Sequence, residues 1–123
     1  MSELFERFKA AREAIITQND EEFLDCLSDD IEYHYHVGTR PLIGKDWVKK
    51  FLTKYREVTS NSQWIIHNHA ESGNVLFTEG TEEYFDVRSQ KTISHPYAGV
   101  IEFRDGKIVK WKDYFEMDQV KGE

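Results

Sequence analysis

The carboxyl-terminal part of the chain contains the stretch GVIEFRDGKIVKWKDYF, residues 99–115. Two runs of alternating apolar and polar residues flank the turn signal Arg-Asp-Gly at 104–106, which predicts a β-hairpin. Alternation in the second strand places Trp111, Asp113 and Phe115 on one face. A carboxylate on an aromatic face has a raised pKa if that face is buried. Asp113 is therefore the first candidate for a chemical role, and the alternative is a structural aspartate satisfied by nearby donors or by water.

Upstream of this hairpin, helical patterns come first and strand patterns follow. Helical spacing predicts a first helix over residues 3–18, a shorter second helix that ends near residues 28–30, and a third that opens at residues 44–46. A period-two segment at 31–37 predicts a strand before the third helix. Four further strands are predicted: Trp64 to Ala70, Val75 to Val87, Thr92 to Arg104 and Lys107 to Glu116. Pro96 indicates a bulge or an edge in the sheet.

This order of elements predicts an α+β fold, with three helices on one side of a mostly antiparallel sheet. The length of 123 residues is that of one ordinary domain, expected to span residues 1–123.

The net charge of −7 argues against a nucleic-acid partner, which requires a clustered basic surface. No stretch approaches the length of a membrane span, and the single cysteine, Cys26, cannot form an internal disulfide. We expect a soluble cytoplasmic protein without a membrane partner.

Several chemically capable side chains fall on strand faces that could converge. They provide two carboxylates, one imidazole and three phenols, from Tyr33, Tyr35, Glu82, His95, Tyr97 and Asp113. Such a set is suited to moving protons on a small bound molecule, with a tyrosine hydroxyl stabilising a developing oxyanion. We expect Asp113, Glu82, His95 and Tyr33 to be catalytic, without a cofactor. The residues expected to contact the substrate are Tyr35, Tyr97, Trp111, Trp47 and Phe115.

Two pairs of histidines raise the alternative of a metal site. His34 and His36 are two residues apart, as are His67 and His69, so each pair shares a strand face. This spacing matches no established zinc motif, and an exposed polar face of a strand gives the same pattern. The sequence therefore predicts no metal, and the histidines are expected on an outer face.

Three segments resemble the nuclear-transport-factor-2-like superfamily, and within it the SnoaL-like and limonene-epoxide-hydrolase-like proteins. They are LSDDIEY at 27–33, IGK at 43–45 and the stretch at 99–115. The resemblance implies a cystatin-like cone, in which a strongly curved sheet wraps over the helices and a pocket opens at the wide end. It also implies a homodimer, because related proteins commonly pair through the outer face of the sheet. An apolar patch is expected there, since Trp64, Ile66, Val75, Phe77 and Phe85 cannot all face the helices if Glu82 does.

The resemblance to epoxide hydrolases is incomplete at the site. Those enzymes use two aspartates bridged by an arginine, with a tyrosine and an asparagine that help to hold the attacking water. By position, Asp113 and Glu82 match the acids and Tyr33 the tyrosine, whereas Gly80 stands in place of the arginine and Tyr35 in place of the asparagine.

Other members of the superfamily leave two classes of function open. SnoaL-like cyclases use an acid on the last strand, which Asp113 matches, and His95 could supply their nearby histidine. The positions expected for a ketosteroid isomerase fall near Tyr35, Arg12 and Gly99, which do not fit it. The chain is thus either a cofactor-free enzyme of isomerase, cyclase or hydrolase type acting on a small apolar or aromatic substrate, or a non-catalytic ligand-binding or accessory protein.

Overall fold

The structure is a computed structural model that describes residues 3–115. Its elements in chain order are α1 (Glu3–Ile16), α2 (Asp20–Asp25), β1 (Leu27–His34), β2 (Leu42–Ile43), α3 (Lys45–Val58), β3 (Thr59–Ser72), β4 (Val75–Asp86), β5 (Lys91–Arg104) and β6 (Lys107–Tyr114). The strands form one curved, unclosed sheet in the order β2-β1-β6-β5-β4-β3. Neighbouring strands are antiparallel except β1 and β6, which are parallel. The predicted α+β architecture is confirmed.

The helices cover one face of the sheet because each has an apolar stripe. In α1 the buried residues are Phe8, Ala11 and Ala14, which recur every three positions. In α3 they are Val48 and Leu52, one turn apart. These stripes cover the concave side of the sheet and close the core.

Trp111 is the centre of this core. Its side chain is fully buried on β6, and its ring centroid lies 5.3 Å from that of Phe8 and 5.8 Å from those of Phe23 and Trp64. One aromatic residue thus contacts two helices and a distant strand, in the tilted and edge-on arrangements that aromatic pairs prefer. Asp113, two residues later on the same strand, must face the same side.

Two predicted boundaries near the first strand were wrong. The second helix ends at Asp25, well before residues 28–30, and β1 begins at Leu27. The reason is tertiary: Ile108 N donates to the Cys26 carbonyl oxygen at 2.9 Å, and Leu27 pairs with Ile108. Parallel pairing with β6 therefore competes with continuation of the helix, and local capping signals do not reveal it.

The third and fifth strands also differ in detail from the prediction. β3 begins at Thr59, directly after α3, five residues before the predicted start. Pro96 does not form a bulge, since it pairs with Thr81 in an unbroken register. It lies beyond Ala98, which forms the last pair with β6, so this end of β5 has an unpaired edge among the described residues.

No helix among residues 3–115 is long and apolar enough to cross a membrane.

Candidate functional site

A cavity of about 190 Å³ lies between the helices and the concave face of the sheet. Most of its wall is aromatic or aliphatic, with a few polar groups. The lining residues are Ile15, Ile16, Tyr33, Tyr35, Phe51, Leu52, Tyr55, Ser62, Gln63, Trp64, Glu82, Glu83, Tyr84, His95, Asp113 and Phe115. The structure thus brings the four residues expected to be catalytic, Tyr33, Glu82, His95 and Asp113, to one cavity, together with Tyr35 and Phe115.

Asp113 is 5% exposed and receives a hydrogen bond from Trp111 Nε1 to its Oδ1 at 3.0 Å. Burial raises the pKa of the carboxyl group well above its ordinary value, and the charge of Glu82 adds to the rise, while the indole hydrogen bond opposes it. Gly99 lies opposite on β5, where a Cβ atom would stand 3.3 Å from Asp113 Oδ1. The absence of a side chain there leaves room for the carboxyl group.

Glu82 and His95 form a cross-strand pair between β4 and β5. His95 Nδ1 lies 2.9 Å from the Pro96 carbonyl oxygen, which can only accept, so Nδ1 carries a proton. His95 Nε2 then faces Glu82 Oε1 at 3.5 Å. Burial raises the pKa of Glu82 to about 7. Glu82 is therefore a neutral acid below about pH 7, able to donate its proton toward Nε2, and a carboxylate above that pH.

Tyr33 projects from β1, next to Trp111 in the parallel pairing with β6. Its ring packs edge-on against Trp111 at 5.6 Å and against Phe51 at 5.8 Å. Burial raises the pKa of the phenol well above its ordinary value, and the charges of Asp113 and Glu82 raise it further. Tyr33 therefore keeps its proton and can act only as a neutral hydrogen-bond donor or acceptor.

An aromatic row on one side of the cavity was not predicted from the sequence. Phe51 stacks on Tyr35 with ring centroids 4.7 Å apart, and Tyr55 lies 5.9 Å from Phe51 and 6.2 Å from Tyr84. Phe51 and Tyr55 are one turn apart in α3, and Tyr84 shares a strand face with Glu82. The one-turn spacing of Phe51 and Tyr55, and the alternation that groups Tyr84 with Glu82, are the sequence signals that could have identified this row.

Three residues expected to contact the substrate do not line the cavity. Trp47 is 56% exposed on α3, with Lys50 Nζ 4.5 Å from its ring centre. Trp111 lies in the core beneath the cavity and contributes to the site through its hydrogen bond to Asp113. Tyr97 is buried on β5, where its hydroxyl group lies 3.3 Å from Thr78 Oγ1.

The backbone around Gly80 leaves no room for an arginine that could bridge Glu82 and Asp113. A Cβ atom on Gly80 would lie 1.8 Å from the Ile65 carbonyl oxygen, because β3 and β4 approach closely beside a register shift between Ile66 and Asn68. Any side chain here would collide with backbone. Within the part of the chain that the structure describes, no lysine or arginine lines the cavity.

The histidine pairs make other contacts. His34 Nε2 lies 2.6 Å from Glu32 Oε2, and His67 Nε2 lies 3.1 Å from Thr81 Oγ1. His36 stacks on Phe115 at 4.2 Å, so it is not on an outer face as expected. Among residues 3–115, no group of three or more His, Cys, Asp or Glu side chains is arranged to hold a metal ion.

The family model of the SnoaL-like domain matches residues 8–111. The chain belongs to the SnoaL-like domain family. A nuclear-transport-factor-2-like protein of unknown function from Burkholderia pseudomallei superposes on this SnoaL-like chain with a TM-score of 0.87 at 19% identity, covering 98% of each chain. An LEH-like epoxide hydrolase from M. tuberculosis gives a TM-score of 0.84 at 22% identity, covering 97% of this chain and 86% of its own.

A third solved structure is a protein from Shewanella denitrificans assigned as a SnoaL-like polyketide cyclase. Its TM-score is 0.86 at 13% identity, with 98% of each chain covered. At these identities the likeness shows the fold, and function must be argued from the site.

Proposed function

We propose that this SnoaL-like protein catalyses cofactor-free proton transfer on a small carbonyl compound, leading to double-bond migration or ring closure. The observation that supports this most is the presence of two carboxyl groups with raised pKa, the buried Asp113 and the half-buried Glu82, in one largely apolar cavity. An acid whose pKa lies near neutrality can both give and take a proton efficiently there.

In the proposed reaction, Glu82 as carboxylate removes a proton from the carbon next to a carbonyl, while Asp113 as acid protonates the carbonyl oxygen. The C–H electron pair becomes a new C=C bond, so the product of this step is an enol. Return of the Glu82 proton to another carbon of a conjugated system, and of the enol proton to Asp113, shifts the double bond and resets both acids. Tyr33 donates a hydrogen bond to the oxygen throughout.

Ring closure follows from the same enol. Its carbon attacks a second carbonyl in the molecule, the enol proton returns to Asp113, and the new alkoxide takes the proton held by Glu82. The likeness to the Shewanella denitrificans protein assigned as a polyketide cyclase agrees with this chemistry. Epoxide hydrolysis is less favoured, because Gly80 excludes the arginine that completes the hydrolase pattern.

A non-catalytic ligand-binding protein is the second candidate. It is favoured by the same lack of a lysine or arginine beside the two acids among residues 3–115, which leaves Asp113 without a strongly activating partner there. Binding and proton transfer then have to be measured separately.

Deuterium exchange at carbon tests the proposal even while the product is unidentified. Cyclic ketones, β-diketones, hydroxyaryl ketones and amino ketones are incubated in D₂O near neutral pH, and incorporation at the acidic carbon is followed by NMR. We expect wild-type protein to accelerate exchange for at least one class. Asp113→Asn should reduce that acceleration at least about 100-fold, since it removes general acid catalysis.

Asp105→Asn is the matched control, because it makes the same change at an exposed hairpin position where asparagine tolerates the positive φ of 53°. It should exchange at the wild-type rate. Ligands that bind without acceleration of exchange in any class would overturn the enzymatic proposal in favour of the binding protein.

A further inference from the structure

We infer that the ligand of this cavity carries an organic cation, a tertiary or quaternary ammonium group, and that anionic ligands are excluded. The inference rests on the proposed function in that the ligand enters the same cavity, and it specifies the ligand's chemical class.

Apart from His95, the ionisable groups of the wall other than tyrosines are acidic. Its acidic residues are Glu82, Glu83 and Asp113, and no lysine or arginine among residues 3–115 lines it. The nearby arginines have other contacts: Arg12 Nη1 donates to the Trp64 carbonyl oxygen at 3.0 Å, and Arg56 pairs with Asp20. In this poorly solvated space an anionic group would be repelled by the carboxylate form of Glu82, and His95 is the only basic side chain that lines the wall within residues 3–115.

The rest of the wall suits an ammonium group. Seven aromatic rings line the cavity, from Tyr33, Tyr35, Phe51, Tyr55, Trp64, Tyr84 and Phe115. Rings attract cations through their quadrupoles, and aromatic surroundings with carboxylates are the usual receptor for alkylated ammonium groups. Ring-to-ring packing, such as the 4.7 Å stack of Tyr35 on Phe51, holds part of this wall in place before the ligand arrives.

The cation would lie beside Glu82 and Asp113, which share the cavity wall. The imidazole on the wall belongs to His95, and its Nε2 faces Glu82. A positively charged ligand would pair with the carboxylate form of Glu82, since no lysine or arginine of the described part of the chain lines the cavity.

Three ligands of nearly equal shape test the inference: choline, its neutral isostere 3,3-dimethylbutan-1-ol and the anion 3,3-dimethylbutanoate. Binding is measured by calorimetry at a pH near 8. We expect choline to bind at least about tenfold tighter than the alcohol, the increment of a desolvated cation–π site, and the anion not to bind at all. Glu82→Gln should weaken choline at least about fivefold and leave the alcohol unchanged.

Glu79→Gln is the matched control, an exposed glutamate on the outer face of the same strand, and it should bind choline as wild type does. Equal or tighter binding of the alcohol, any preference for the anion, or no choline binding at millimolar concentration would overturn the inference. Choline selectivity without carbon exchange would keep the cation site and overturn only the proposed enzyme. Exchange confined to uncharged ketones, without choline selectivity, would keep the proposed enzyme and overturn the cation site.

Discussion

Within residues 3–115, Asp113 accepts a hydrogen bond from Trp111 Nε1. A single neutral hydrogen bond is worth about 1 kcal/mol, which is less than the cost of burying a charge. Burial therefore determines the direction in which the carboxyl pKa moves, and the indole only moderates it. The aspartate holds its proton more firmly than an exposed aspartate does.

Trp111→Phe should raise the pKa of Asp113 further, because it removes the contact that favours the carboxylate. The measurement is the titration of the Asp113 side-chain carbon by ¹³C NMR. Trp47→Phe removes an exposed indole outside the cavity wall and should leave that titration unchanged. A fall in the Asp113 pKa in Trp111→Phe would contradict the assigned role of the indole.

Glu82→Gln should stabilise the protein in a pH-dependent way. With a folded pKa of about 7, raised from 4.5, Glu82 costs no stability below pH 4.5, an increasing amount between these values, and on the order of 3 kcal/mol above pH 7. The free energy of unfolding of the variant should therefore exceed that of wild type at about pH 8 and match it at about pH 4.

Urea denaturation at both pH values measures this difference, with Glu79→Gln as the control that should show none. A gain for Glu82→Gln that is the same at both pH values would show that lost packing or solvation, and not ionisation, is responsible.

At the level of elements, the close approach of β3 and β4 at Gly80 excludes any side chain from this position beside the site. The register shift between Ile66 and Asn68 brings the Ile65 carbonyl oxygen to where a Cβ would stand. The same feature keeps Glu82, two residues on, facing the cavity without a neighbouring side chain at position 80.

Gly80→Ala should destabilise the protein by about 3 kcal/mol or more, since the clash is with backbone that cannot move like a flexible side chain. Thermal or urea unfolding measures the loss. Ser94→Ala, at an exposed position on β5, should change stability by less than about 0.5 kcal/mol. Wild-type stability in Gly80→Ala would show that the strands separate easily at this point.

Periodicity predicted most elements because it is a local property. Alternation grouped the residues of β5 and of β6 by face, but the common direction of His95 and Asp113 depends on how the two strands pair. Alternation also could not predict which residues of α3 line the cavity, because that depends on how α3 is rotated against the sheet. Trp47 and Phe51 belong to the same helix, one turn apart, yet only Phe51 reaches the cavity. The end of α2 likewise depended on pairing with β6, which lies far along the chain.

Across the whole molecule, the outer face of the sheet carries the apolar surface that was expected, but partly on other residues. Trp64 and Ile66 pack into the core, whereas Ile65 is 48% and Phe77 43% exposed on the opposite side. Tyr114 adds a further exposed ring, paired across from Ala98. Exposed apolar residues that share one face of a sheet can mark an interface between proteins.

We therefore predict a homodimer that buries this outer face. Sedimentation at micromolar concentration should give a dimer, and Phe77→Glu should shift it towards the monomer, because a charge in the interface is costly to desolvate. Trp47→Glu introduces the same charge at an exposed aromatic residue on α3 and should remain dimeric. A monomeric wild-type protein would contradict the prediction.

In the proposed site, Glu82 and Asp113 form an acid–base pair that holds a proton near neutral pH. The decisive experiment is carboxyl ¹³C NMR of the wild-type protein, titrated from acid to mildly alkaline pH. We expect the Glu82 carbon to titrate at a pKa of about 7, the pKa of Asp113 to lie well above the ordinary range of aspartate, and each group to respond to the ionisation of the other. Ordinary, independent titration of both groups near pH 4 would contradict it.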